Sequence, residues 1–103
     1  MNTKKRTDAL EMMESKWGRL SVAKLLTSWR TTDELSQTQF AKKLGMSVQS
    51  LCDLEKGRRI PTPGRAAKIA KKMGYPEMAL ITLAIRDALY ADGFKYNVKL
   101  ESA

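Results

Sequence analysis

Gln49 carries a carbonyl acceptor beside two N–H donors, the set that engages adenine N6 and N7 bidentately from the major groove. Val48 next to it offers methyl surface for a thymine methyl, and Asp53 has a carboxylate able to accept from a cytosine amine. Lys56, Arg58 and Arg59 follow closely and form a cationic cluster suited to phosphates. Gln37 and Ser47 stand where helices are expected to begin, so that side chain and backbone N–H can hold phosphate together, and Ser50 is assigned with them. This is hydrogen-bonding chemistry for base edges and phosphates, not bond-making chemistry. The chain has no His and a single Cys, which excludes a Ser-His-Asp or Cys-His catalytic set and any His-containing or multi-Cys zinc site. No catalytic residue, metal or cofactor is therefore expected.

Such side chains work only if a short helix is held out rigidly, and the sequence supplies the frame for one. Ser36 can cap a helix over 37–44, with Gln39 at the third position completing a capping box and Gly45 ending it. Met46 links to Ser47, which caps a second helix over 48–56 that Gly57 stops. Leu51 and Leu54 face inward on that helix, so Val48, Gln49, Cys52, Asp53 and Lys56 fall on or near the outer face. Two short helices joined by such a turn place the second in the major groove of duplex DNA. The net charge of +8 fits a polyanionic partner without demanding one.

The flanking elements follow by the same signals. Val22, Leu25, Leu26 and Trp29 keep one helical face after a Ser21 cap, to about Thr32. Thr62 caps a further helix with Pro63 in its first position, where the missing N–H costs nothing, and Gly74 closes it. Pro76 opens the longest helix, to about Asp92. Its first half is apolar nearly all round, and a domain of this size has little core to enclose it. A second subunit is expected over Met78, Ile81, Ile85 and Leu89. Beyond Gly93 the period becomes two: Phe94, Tyr96, Val98 and Leu100 alternate with polar residues, predicting one β-strand. A lone strand needs a partner, and pairing across a dimer is preferred to a lid folded on the last helix, which leaves the strand edges open. Before all this, Asp8 and Glu11 suggest a short N-terminal helix ending near Gly18.

Leu35-Ser36-Gln37, Phe40-Ala41, Leu44-Gly45, Ser47, Leu51, Leu54-Glu55 and Gly57 together resemble the Cro/lambda-repressor-like, or XRE, helix-turn-helix family, over about residues 20 to 75. The resemblance implies an all-α, lambda-repressor-like five-helix domain, here with a short N-terminal helix and one C-terminal strand added. It implies that Gln37 grips a phosphate and that Val48, Gln49 and Asp53 face bases. It also implies that Arg30 pairs with Glu55. Val48 and Asp53 depart from the Gln-rich reading helices of well-known phage repressors, so the operator does not carry over. Residues 51–59, 65–74 and 83–87 with the final strand are similar to small HigA-type antitoxins. That similarity implies a dimer that represses its own operon and neutralises a ribonuclease toxin.

The expected division is an arm over 1–18, a DNA-binding domain over 19–75, and a dimerisation helix and strand over 76–103 in the same compact unit. One Cys precludes an internal disulfide and fits a reducing cytoplasm, and no signal peptide or membrane-spanning run is visible. The expected function is a sequence-specific repressor on a palindromic operator, working as a homodimer. The alternatives are a stand-alone regulator without a toxin and, behind it, an interaction protein that uses the motif as a scaffold.

Overall fold

The computed structural model describes residues 19–103, so the expected helix between Asp8 and Gly18 lies outside the described residues. Five helices follow one another: α1 Val22–Thr32, α2 Gln37–Leu44, α3 Val48–Glu55, α4 Pro63–Met73 and α5 Glu77–Ala91. Each of the first four begins on a hydroxyl. Ser21, Ser36, Ser47 and Thr62 accept from the backbone N–H three residues on, and Ser36 with Gln39 forms the complete capping box. These bonds satisfy donors that a helix start otherwise leaves orphaned, and each is worth about 0.5–2 kcal/mol. α3 is one residue shorter than expected, with Lys56 as its cap, and Pro76 precedes α5 as its cap residue rather than lying within it.

One core is shared by all five helices. Val22 and Leu26 meet Phe40, Ala41 and Leu44 from α2, Leu51 and Leu54 from α3, Ala66, Ile69, Ala70 and Met73 from α4, and Leu80, Leu83 and Ala84 from α5. α4 packs most extensively on α5, while α3 lies against both α1 and α2. α3 is thus clamped from two sides by its inner face, and its other face is left to solvent. Gly45 at φ +70° turns the chain between α2 and α3, and a Cβ there would collide with the Lys72 ammonium. That ammonium donates to the Leu44 carbonyl at 3.1 Å, capping the end of α2 from α4.

α5 is joined to the start of α1 by polar contacts as well as by packing. Asp87, buried on α5, accepts from the Val22 backbone N–H at 2.9 Å and pairs with Arg19. Arg86 donates to the Leu20 carbonyl at 2.7 Å. Trp29 and Tyr75 meet edge to face, with centroids 5.4 Å apart, pinning the end of α1 to the α4–α5 turn.

The C-terminal strand is a correction. Residues 94–103 form no strand, and the described chain is helical apart from turns and irregular segments. A strand exists by pairing its backbone groups with another, and no second strand is present among the described residues to pair with. The side-chain pattern survives without the ladder: Phe94 and Tyr96, two residues apart, stack with centroids 6.2 Å apart, and both are exposed.

Candidate nucleic-acid interface

The outer surface of α3 forms the centre of the candidate site. Val48 is 41% exposed, and Gln49 and Lys56 are also exposed. Cys52, Asp53 and Ser50 are half-buried along the same helix. The reason is helical rotation. Leu51 and Leu54 take the inward face in the core, which turns Val48 and Gln49 outward at the N-terminal end.

At that end the Ser47 hydroxyl oxygen accepts from the Ser50 N–H, and the Ser47 hydroxyl donates to Ser50 Oγ, both at 3.0 Å. The Ser50 hydroxyl proton is thereby left over for an acceptor such as a phosphate oxygen. Gln37, in the first turn of α2, donates through its amide nitrogen to Glu55 Oε1 at 3.1 Å. Its second N–H and the first backbone N–H groups of α2 remain for an anion.

Glu55 is the hub beneath this surface. Arg30 grips it with two hydrogen bonds, Nε to Oε2 at 2.8 Å and Nη2 to Oε1 at 3.0 Å, and also donates to the Leu35 carbonyl at 3.1 Å. The expected Arg30–Glu55 pair is therefore present as a bidentate fork joining the end of α1 to the end of α3. It is well shielded: the Glu55 side chain is only 5% exposed and that of Arg30 19%. The hydrogen bond to Glu55, opposed by partial burial and aided by their attraction, raises the Arg30 pKa. A raised cation contributes stability that is complete below its ordinary range and is lost only as pH climbs through the folded value, so the pair's cationic half is constant at working pH. One carboxylate thus sets α1, α2 and α3 in fixed relation.

Asp53 is also engaged. Its Oδ1 accepts from Gln49 Nε2 at 3.1 Å and lies 3.6 Å from Arg58 Nη1. Its backbone carbonyl accepts from the Arg58 and Arg59 N–H groups, which folds the basic segment back along the end of α3. Lys56, Arg58 and Arg59 are all exposed there. Sequence reading missed the second role of both carboxylates: an (i, i+4) Gln–Asp pair was legible at 49 and 53, whereas the Gln37–Glu55 bond across 18 residues was not.

The residues expected to meet a second subunit are spread along α5 and the tail, from Met78 near the start of the helix to Leu100 beyond its end. Met78, Phe94 and Tyr96 are 45%, 51% and 66% exposed, while Ile81, Ile85, Leu89, Val98 and Leu100 are half-buried. No group of His, Cys, Asp or Glu among the described residues is arranged to hold a metal, and no described helix is long and apolar enough to cross a membrane. The helix-turn-helix family model matches residues 28–80, which spans α2, α3, α4 and the ends of their neighbours. Neither the curated proteins nor the solved structures contain a significant match to the chain.

Proposed function

The chain belongs to the Cro/lambda-repressor-like, or XRE, helix-turn-helix family, and from that premise we propose that this DNA-binding regulator is a sequence-specific repressor acting as a homodimer on a palindromic operator. The observation that carries the reading is the rigidly buttressed α3. Its outer face presents Val48 and Gln49, and its two ends carry Ser47 and Ser50 on one side and Lys56, Arg58 and Arg59 on the other. In this reading Val48 and Gln49 meet base edges, and Gln37, Ser47, Ser50, Lys56, Arg58 and Arg59 meet phosphates. Arg30 and Glu55 touch no DNA; they fix the helix that does.

The dimer is supported by apolar side chains along α5 and the tail that are exposed or only half-buried. Met78, Ile81, Ile85 and Leu89 on α5, with Phe94, Tyr96, Val98 and Leu100 beyond it, meet the same surface of a second copy, as a two-fold axis requires. Two reading helices entering successive major grooves set half-sites about one helical turn apart.

Selection of bound duplexes from a random pool, with light scattering on the same protein, tests both halves. The expected result is a palindrome bound by a particle of twice the chain mass. A monomer at micromolar concentration that binds a single half-site tightly overturns the dimer reading.

An antitoxin role would extend the proposal; its basis is the resemblance of residues 51–59, 65–74 and 83–87 to small HigA-type antitoxins. Co-expression with the product of the neighbouring gene, followed by mass measurement with and without operator, decides between it and a stand-alone regulator.

A further inference from the structure

Asp53 is an anomaly on a surface meant for DNA, because a carboxylate there is repelled by phosphates. Its geometry gives it a different task. Its Oδ1 lies 3.1 Å from Gln49 Nε2 and 3.6 Å from Arg58 Nη1, and its side chain is 23% exposed. We infer that Asp53 is a positioning residue that fixes the orientation of the Gln49 amide and so makes Gln49 select adenine over guanine. The inference rests on the reading of α3 as the helix in the major groove.

A carboxylate accepts and does not donate. Of the two ends of the Gln49 amide, only the nitrogen is attracted to it, and the carbonyl oxygen is repelled. The amide is therefore held one way round, with one N–H spent on Asp53 and the carbonyl and the other N–H left over. One acceptor and one donor complement adenine, which offers the N6 amine and N7. Guanine offers two acceptors, N7 and O6, and a carbonyl that cannot turn away meets one of them unfavourably. A free glutamine escapes this by rotating its amide to present both N–H groups; a tethered one does not.

Arg58 completes the device. It lies beside the same carboxylate oxygen, offsetting charge that otherwise faces the phosphates, and it comes from the segment folded back onto the Asp53 carbonyl. Gln37 is held in the same manner by Glu55, so both glutamines near the expected DNA surface have their amides set by carboxylates of α3.

The test uses the full chain and the operator it selects, with every base pair changed in turn, and compares Gln49→Ala, Asp53→Ala, Asp53→Asn and the Gln49/Asp53 double alanine variant. Wild type is expected to prefer adenine over guanine at one base pair by roughly 5- to 150-fold. Asp53→Ala should shrink that preference at the same base pair and leave the others alone. The double variant should discriminate no worse than Gln49→Ala, because the two residues act on one base together. Asp53→Asn carries a donor as well as an acceptor, can hold the Gln49 amide either way round, and should therefore fold like wild type while losing most of the preference, which a failure to fold cannot mimic. In the free protein, the Gln49 side-chain amide resonances should move on Asp53→Ala.

A preference that disappears at a different base pair, or effects that add in the double variant, overturns the inference in favour of direct base recognition by Asp53. An operator-specific wild type whose Gln49 amide and base preference both ignore Asp53→Ala overturns it too. A wild-type protein that binds every duplex alike instead overturns the groove reading beneath it, so the two failures are told apart.

Discussion

Two regions of this molecule are finished to different degrees. At the reading end every element is closed off within the chain: α2 and α3 start on serine caps, α2 finishes on Gly45 and the Lys72 ammonium, and Arg30, Glu55 and Gln37 tie three helices together. Along α5 and the tail, by contrast, the helix has no side-chain cap at its start, and Met78, Phe94 and Tyr96 are exposed apolar side chains. The contrast teaches that the surface proposed to read DNA is held rigidly within the chain, so that in that reading little ordering cost falls on binding.

Removing Arg30 attacks the reading end at its hub and should have the largest effect. Arg30→Ala strands a carboxylate that is almost fully buried, and one-sided removal of such a pair costs about 3–5 kcal/mol. Melting temperature and operator affinity should both fall. Melting and affinity that stay unchanged reduce the fork to decoration and dissolve the contrast between the two regions.

Deleting residues 94–103 probes the second region. Phe94 and Tyr96 are each worth about 1.5–3 kcal/mol when fully buried against a partner, and their removal costs the single chain nothing comparable. Helix content by circular dichroism should be unchanged, while dimer dissociation and operator dissociation constants both rise. A truncated chain that dimerises and binds operator as before shows that the tail serves some other purpose.

A smaller effect is expected from Ser47→Ala, which frees the N–H of Ser50 at the start of α3 and costs about 0.5–2 kcal/mol of stability. If melting shifts while the tail-deleted and full chains respond equally, the reading end is stabilised independently of the dimer. Responses that differ strongly between the two chains join what the comparison separates.

The least perturbing change is Arg58→Ala, at a side chain 59% exposed. It should leave melting nearly untouched and lower affinity for all duplexes about equally. The slope of log K against log salt should flatten by roughly 0.9, the share of a single phosphate that the arginine no longer neutralises. An unaltered slope removes Arg58 from the phosphate set.

The reading end is legible in the sequence because its signals are local. A serine and the N–H three residues on, a glycine at a helix end, leucines three apart and a proline in a first turn each act within one or two turns of chain, so sequence order alone brings them together. The strand expected at residues 94–101 fails for a related reason. Its alternating pattern is local and real, but a ladder joins two segments, and the described chain supplies only one.

Sequence by itself therefore determined the five helices, their caps, the inward leucines of α3 and the outward Val48 and Gln49, all consequences of helical period and end chemistry. Tertiary structure decided which charges meet. Asp87 of α5 caps α1 across 65 residues, Lys72 of α4 closes α2 across 28, and Gln37 settles on Glu55 across 18. No periodicity encodes these pairings. They depend on how five helices pack around Phe40, Leu51 and Leu80, and only that packing fixes which long polar side chain lies within reach of which unsatisfied group.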